Sequence, residues 1–147
     1  MESRDALTLM SEGLAFVQSE NYSLAEEAYA LALENAQATM GEAHPMTASL
    51  LGHLARACLA QNGKVEFAAS LLERQLYMYE NEPVLHSCTS EKLTAVQELA
   101  GVYELLGRQV EAANLSGKAS RLLNDLTQNM QELSEDLDSV KCDAEDK

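Results

Sequence analysis

The feature that most constrains this chain is a pattern of small residues that returns at a nearly constant interval. Ala25, Ala68 and Ala112 each open a stretch with helical apolar spacing, and they lie 43 and 44 residues apart. A second helical stretch precedes each alanine and ends in a turn, which Gly107 marks in the clearest copy. Small residues facing large ones let two helices pack closely. The spacing therefore predicts an array of helical hairpins.

The composition agrees with an all-α domain. Of the 147 residues, 46% are hydrophobic and 5% aromatic, and the chain contains two prolines, Pro45 and Pro83. No alternating apolar and polar run bounded by turn residues predicts a strand. Three hairpins are predicted, at about 6–38, 46–80 and 90–124, within a repeat domain spanning 1–124. A capping box at Ser23-Leu24-Ala25-Glu26 is expected to start the second helix.

The charge limits the kinds of partner. Asp and Glu number 24 against 10 Lys and Arg, which gives a net charge of −14. Such a surface repels phosphate backbones and anionic lipid, so neither nucleic acid nor a membrane is an expected partner. Cys58, Cys88 and Cys142 are scattered, and no signal peptide or 18-residue apolar run is visible. A cytoplasmic protein with reduced thiols is therefore expected.

Catalytic and metal-binding patterns are missing from the sequence. His44, His53 and His86 lack the short spacing and the neighbouring ligands of a metal site. No nucleophile motif or glycine-rich phosphate loop is present. The chain is therefore expected to be neither an enzyme nor a cofactor-binding protein.

Two stretches carry a resemblance to a known family. Leu99-Ala100-x-x-Tyr103 followed by Ala112, and the linker Gly41-Glu42-x-His44-Pro45, resemble tetratricopeptide (TPR) repeats of the longer-period kind found in kinesin light chains. The period alone also fits HEAT repeats, which lack this signature. The copies depart from the pattern at Glu12, where leucine stands in the other copies, and at Gln75, where a small residue is expected.

The resemblance implies a right-handed superhelical array of about three hairpins, followed by a C-terminal capping or extended helix. The first helix of each hairpin is expected to line a concave groove that binds an extended or helical peptide. Carried onto this sequence, the groove positions are Met10, Leu14, Val17, His53, Arg56, Leu59, Gln97, Gly101 and Glu104. Because Arg56 is the one cation among them, a basic or apolar segment is the expected ligand rather than a terminal carboxylate.

A second pattern follows the last hairpin. Apolar residues recur at alternating intervals of three and four, as in a heptad seam, at Leu123, Leu126, Met130, Leu133 and Leu137. The seam predicts a C-terminal helix at 125–140, with an acidic flexible tail at 141–147. Two interpretations stay open: the helix caps the open end of the array, or it mediates self-association or docking.

Two functions are therefore predicted from the sequence. In the first, the protein is a non-enzymatic scaffold or adaptor that holds a partner's peptide or helix in its groove. In the second, it is a structural subunit of a larger complex and docks through its C-terminal helix.

Overall fold

The computed structural model of the chain describes residues 5–61 and 63–145, the last seven of these as backbone only. Residues 146 and 147, at the end of the tail predicted for 141–147, lie outside the described residues. Within this part of the chain there are no strands, and the helices are α1 (Ala6–Gln18), α2 (Tyr22–Met40), α3 (Pro45–Leu59), α4 (Val65–Asn81), α5 (Thr89–Leu105) and α6 (Gln109–Glu145), with a short 3-10 helix at Pro83–Leu85. The prediction of an all-α protein is confirmed.

Consecutive helices pack against each other along the whole stack. α1 pairs with α2, α3 with α4 and α5 with α6, while α2 packs on α3 and α4 on α5 to join the hairpins. The core is continuous through all three hairpins and consists mainly of alanine and leucine. An array in which each hairpin touches only its neighbours is the arrangement that a repeat sequence specifies.

One turn geometry closes the first and the third hairpin. The Asn21 amide donates to the Phe16 carbonyl at 2.8 Å, and the Arg108 amide donates to the Tyr103 carbonyl at 2.8 Å. Gly107 has a φ of +77° in this turn, which glycine adopts without steric cost. Glu20 holds the equivalent place in the first hairpin with a φ of +63°. The turn is therefore retained even where its residue is not a glycine.

The start of α2 differs from the expected capping box. α2 begins at Tyr22, and no side-chain cap bond is made by Asn21, which precedes it. The Glu26 carboxylate instead accepts from Lys64 Nζ at 2.6 Å and from Gln61 Nε2 at 2.8 Å. Burial alone would raise the pKa of Glu26, but the bonds from Lys64 and Gln61 lower it. A contact between hairpins has replaced the local cap that the sequence predicted.

Glycines let two large side chains enter the hairpins. A Cβ on Gly13 would lie 2.5 Å from the Tyr29 ring, and a Cβ on Gly52 would lie 2.7 Å from Gln75 Nε2. Gln75 is 6% exposed, and its Nε2 donates to the Ala48 carbonyl at 2.8 Å. The departure at Gln75 therefore has a physical reason, because Gly52 provides the space and Ala48 satisfies the buried amide.

α6 is the longest element of the described chain. It contains 37 residues and its hairpin partner α5 contains 17, so roughly 30 Å of α6 extends past α5 at 1.5 Å per residue. α6 is one continuous helix, so it does not turn back to cover the open end of the stack. Of the two forms expected for the C-terminal helix, the extended one is observed.

Candidate functional site

The groove positions expected in the first hairpin lie on α1, and all three are apolar. Met10 and Val17 are partly buried against the core, and Leu14 is 40% exposed. Leu7 is 54% exposed and lies seven residues before Leu14, which places both on one face of the helix. Leu7 was not among the expected groove residues, although its spacing to Leu14 was visible in the sequence.

Arg56 on α3 forms an ion pair with a residue on the next first helix. Its Nη2 and Nε donate to Glu98 Oε1 at 2.8 and 3.0 Å. Both side chains are partly exposed, so the pair contributes at most about 1 kcal/mol to stability. The charge of Arg56 is nevertheless balanced within the groove face. Sequence reasoning missed Glu98 because nothing local connects two residues 42 positions apart.

His53 belongs to the junction between the first two hairpins. Its ring stacks on Tyr29 of α2, with 5.3 Å between centroids and 21° between planes. Burial lowers the pKa of His53, and the adjacent Arg56 lowers it further against an opposing effect of Glu98. The imidazole is therefore neutral at pH 7 and serves packing. Leu59, on the same helix, is partly buried against the core.

The three expected positions on α5 come together in one cleft. Gln97, Gly101 and Glu104 are exposed and line a cleft of about 360 Å³ between α5 and α6. Five further residues complete the lining, namely Ala100, Ser116, Ala119, Ser120 and Leu123. The cleft has a carboxylate in Glu104, and it joins the groove face to the start of the C-terminal seam.

A second cleft lies between α3, α4 and α5. It has a volume of about 200 Å³ and is lined by Ser49, Arg56, Gln75, Tyr79, Glu91, Thr94 and Ala95. Burial raises the pKa of Tyr79 to about 12, so its phenol stays neutral. Glu91 gives this cleft a carboxylate, and the charge of its other ionised residue, Arg56, is matched by Glu98.

The second candidate surface is the C-terminal stripe, defined as Leu123, Leu126, Met130, Leu133 and Leu137 on α6. Leu126 is partly buried. Leu123, Met130, Leu133 and Leu137 are 51%, 70%, 63% and 63% exposed. The stripe is therefore an apolar surface largely open to solvent.

Within residues 5–61 and 63–145, neither a cluster of possible metal ligands nor a helix that could span a membrane is found. These residues contain no group of three histidine, cysteine or acidic side chains that could hold a metal ion. Among these same residues, every buried side-chain nitrogen or oxygen has a hydrogen-bond partner. No helix in the described ranges combines the length and the apolar character needed to cross a bilayer.

The stacked hairpins define a TPR-like helical-repeat protein. The fold matches the crystal structure of BtubC (BKLC) from P. vanneervenii with a TM-score of 0.77 and 23% sequence identity, over 83% of this chain and 48% of that one. The sequence is 31% identical over 124 residues to Protein KINESIN LIGHT CHAIN-RELATED 1 from Arabidopsis thaliana. No protein-family model matches the chain.

The resemblance to TPR repeats of the kinesin light chain kind is thereby confirmed. The sequence match covers 84% of this chain but only 20% of the Arabidopsis protein. The structural match covers about half of the BtubC chain. What these comparisons support for this chain is the helical-repeat fold.

Proposed function

We propose that the protein is a non-catalytic adaptor whose groove face binds a basic or apolar peptide or helix of a partner protein. The observation that carries this proposal is the balanced charge of Arg56. Glu98 neutralises that cation, while Glu91 and Glu104 line the neighbouring clefts. The remaining electrostatic character is acidic, and an acidic surface attracts a basic segment by charge complementarity.

The two ends of the groove face differ in chemistry. Leu7 and Leu14 expose apolar surface on α1, whereas Gln97 and Glu104 expose polar surface on α5. A ligand lying across the first helices would therefore place apolar side chains near α1 and basic side chains near α5. This difference between the two ends of the groove supports a ligand that is apolar at one end and basic at the other over a uniformly basic one.

Location and domain organisation complete the proposal. Cys58 is a free, buried thiol, and burial raises its pKa to about 11, so it is an unreactive core residue. Free thiols and the absence of disulfide pairing among the described cysteines support a cytoplasmic role. Peptide binding is proposed for the repeat domain at 1–124, and attachment to a larger assembly is proposed for the helix at 125–140.

The groove proposal is tested with a fluorescent amphipathic peptide that carries leucines at one end and lysines at the other. Glu104→Lys should raise the Kd at least about fivefold, because it replaces attraction by repulsion at the α5 cleft. Glu135→Lys, the matched control, changes the net charge equally but lies on α6 outside the clefts. Fluorescence anisotropy at two salt concentrations should also show weaker binding at high salt. Equal Kd values for the two variants would contradict the proposal.

A second candidate function is favoured by the exposure of the C-terminal stripe. Four of its five side chains are more than half exposed, and surface apolar patches of this kind commonly mark protein interaction sites. The protein would then be a structural subunit that attaches to its assembly through α6. The two surfaces share Leu123, which lines the α5–α6 cleft, and otherwise consist of different residues, so the two functions are compatible.

A further inference from the structure

We propose that the C-terminal stripe pairs with the same stripe of a second copy, so that the protein is a homodimer joined by its α6 helices. This deepens the second candidate function by naming the attached partner. It does not depend on peptide binding in the groove, which lies on the repeat domain.

The first argument is a contrast along α6. Where α6 packs in its hairpin, its exposed positions include Ser116 and Ser120. The equivalent places in the second hairpin are the buried Leu72 and Leu76. At these two positions the exposed face of the third hairpin is therefore polar. Beyond α5, the exposed side chains of α6 include the apolar Met130, Leu133 and Leu137, and a row of exposed apolar residues is unfavourable on a helix that stays free in solution.

The second argument is the spacing of the stripe. Its residues alternate at intervals of three and four, an average of 3.5, which keeps one seam facing a partner helix over several turns. Such a seam fits a second helix lying along it. An extended peptide would use a two-residue spacing instead.

The third argument is charge, and it selects a second copy over a basic partner. The positions directly beside the stripe include the uncharged Thr127, Asn129 and Ser134, with Asp136 as the one acid there. The other acids of this segment lie at the outer positions, namely Asp125, Glu132, Glu135 and Asp138. A basic partner helix would be served by acidic flanks. Flanks with a single acid instead let two chains of net charge −14 meet with few like charges beside the seam.

The dimer has a functional consequence for the adaptor. α6 extends from the third hairpin, so a pair of these helices would join two repeat domains, each with its own groove face. A ligand with two binding segments would then bind more tightly than one with a single segment, because the second binding event becomes intramolecular.

The test is analytical ultracentrifugation of the full chain from low to high micromolar concentration. The unmodified chain should approach twice the mass of one chain. The double variant Met130→Glu and Leu133→Glu should stay monomeric, with a dimer Kd raised on the order of 100-fold or more, because it buries charges in the seam. The control variant Gln128→Glu and Gln131→Glu adds the same charge at outer positions of the same segment and should dimerise like the unmodified chain. Circular dichroism should show equal helix content in all three.

Two further readouts decide between occupants. A tagged copy co-expressed with an untagged copy should retain it on purification, and the seam variant should not. Higher salt should tighten the dimer, because it screens repulsion between acidic chains, whereas it weakens peptide binding in the groove. A full chain that stays monomeric at high micromolar concentration overturns the proposal. So does a dimer that survives the seam substitutions or that the control substitutions disrupt equally.

Discussion

At the scale of single residues, size complementarity inside the first two hairpins explains departures from the repeat pattern there. Gly13 stands opposite the large Tyr29 ring in the first hairpin. The equivalent positions in the second hairpin hold Ala55 and Leu72, and both are fully buried. When the residue on one helix is larger, the residue facing it on the other helix is smaller, because a packed core tolerates little change in total side-chain volume.

Substituting Gly13 tests this complementarity. Gly13→Ala should lower the free energy of unfolding by about 1–3 kcal/mol, because the new methyl group meets the Tyr29 ring. In a double-mutant cycle, Tyr29→Leu should recover part of that loss and reproduce the pair found in the second hairpin. Urea unfolding measures both effects. Gly101→Ala is the control, since its Cβ would meet no atom within 4 Å; it should not destabilise, and additive effects at Gly13 and Tyr29 would contradict the explanation.

The turn residue Glu20 offers a second test at this scale. A left-handed backbone conformation costs a non-glycine residue roughly 1 kcal/mol, and Glu20 adopts one with a φ of +63°. Glu20→Gly should therefore raise the free energy of unfolding by about 0.5–1 kcal/mol. Gly107→Ala, at the equivalent turn, should lower it by a similar amount. Chemical denaturation gives both values, and a Glu20→Gly variant less stable than the parent would show that the turn is not strained.

At the scale of elements, the junctions between hairpins determine which predicted site residues are available to a ligand. The His53 ring stacks on Tyr29, and Arg56 forms an ion pair with Glu98. Tyr103 donates to Glu73 Oε1 across the α4–α5 junction at 2.5 Å. His53 and Arg56, which were expected to face a ligand, therefore also hold neighbouring helices together.

The junction at His53 should make stability depend on pH. Because burial lowers the pKa of folded His53, its neutral form is favoured and stability is complete above the unfolded pKa of about 6.5. Stability should fall as the pH drops from there through the folded pKa, since the unfolded state then binds more protons. His53→Phe keeps a ring against Tyr29 and should remove this loss of stability. Urea unfolding from about pH 7.5 to about pH 5, roughly one to two units either side of the unfolded histidine pKa, measures the effect. His86→Gln, at an exposed position, should keep the loss.

The distal half of α6 should be independent of the array. A chain ending at Asn124 removes helix that extends past α5, so it should keep the free energy of unfolding to within about 0.5 kcal/mol. The monomeric seam variant Met130→Glu and Leu133→Glu is the reference for this comparison, so that dimer formation does not contribute. A loss above roughly 2 kcal/mol would mean that the distal helix packs on the array.

At the scale of the whole molecule, charge opposes the compact state. A net charge of −14 on 147 residues produces self-repulsion that folding concentrates into a small volume. The described ion pairs are mostly exposed, so each contributes little. The array is therefore held mainly by its continuous apolar core.

Salt should consequently stabilise the protein. Raising sodium chloride from low to physiological concentration should increase the Tm by a few degrees, because it screens repulsion among the acids more than it weakens the few ion pairs. Differential scanning calorimetry of the monomeric seam variant measures this effect without a contribution from dimer formation. A Tm that falls with salt would mean that the ion pairs outweigh the net repulsion.

Much of the fold followed from local pattern. The repeated small and large residues predicted an all-helical array, and the alternating seam predicted a helix after the last hairpin, because helical periodicity and turn residues are properties of short stretches. The same local reasoning failed at Ser23 and Glu26, where an expected capping box competed with Lys64 and Gln61 from the next hairpin. A distant partner outweighed the local one because the inter-hairpin contact joins opposite charges.

The sequence by itself therefore determined the class of fold and the acidic character of the chain. The tertiary structure determined the features that depend on contacts between residues far apart in the sequence. It matched Arg56 with Glu98, gathered Gln97, Gly101 and Glu104 into one cleft, and left the seam of α6 open to solvent. The physical reason is that charge balance and exposure depend on neighbours from other helices, whose positions are set only when the hairpins stack.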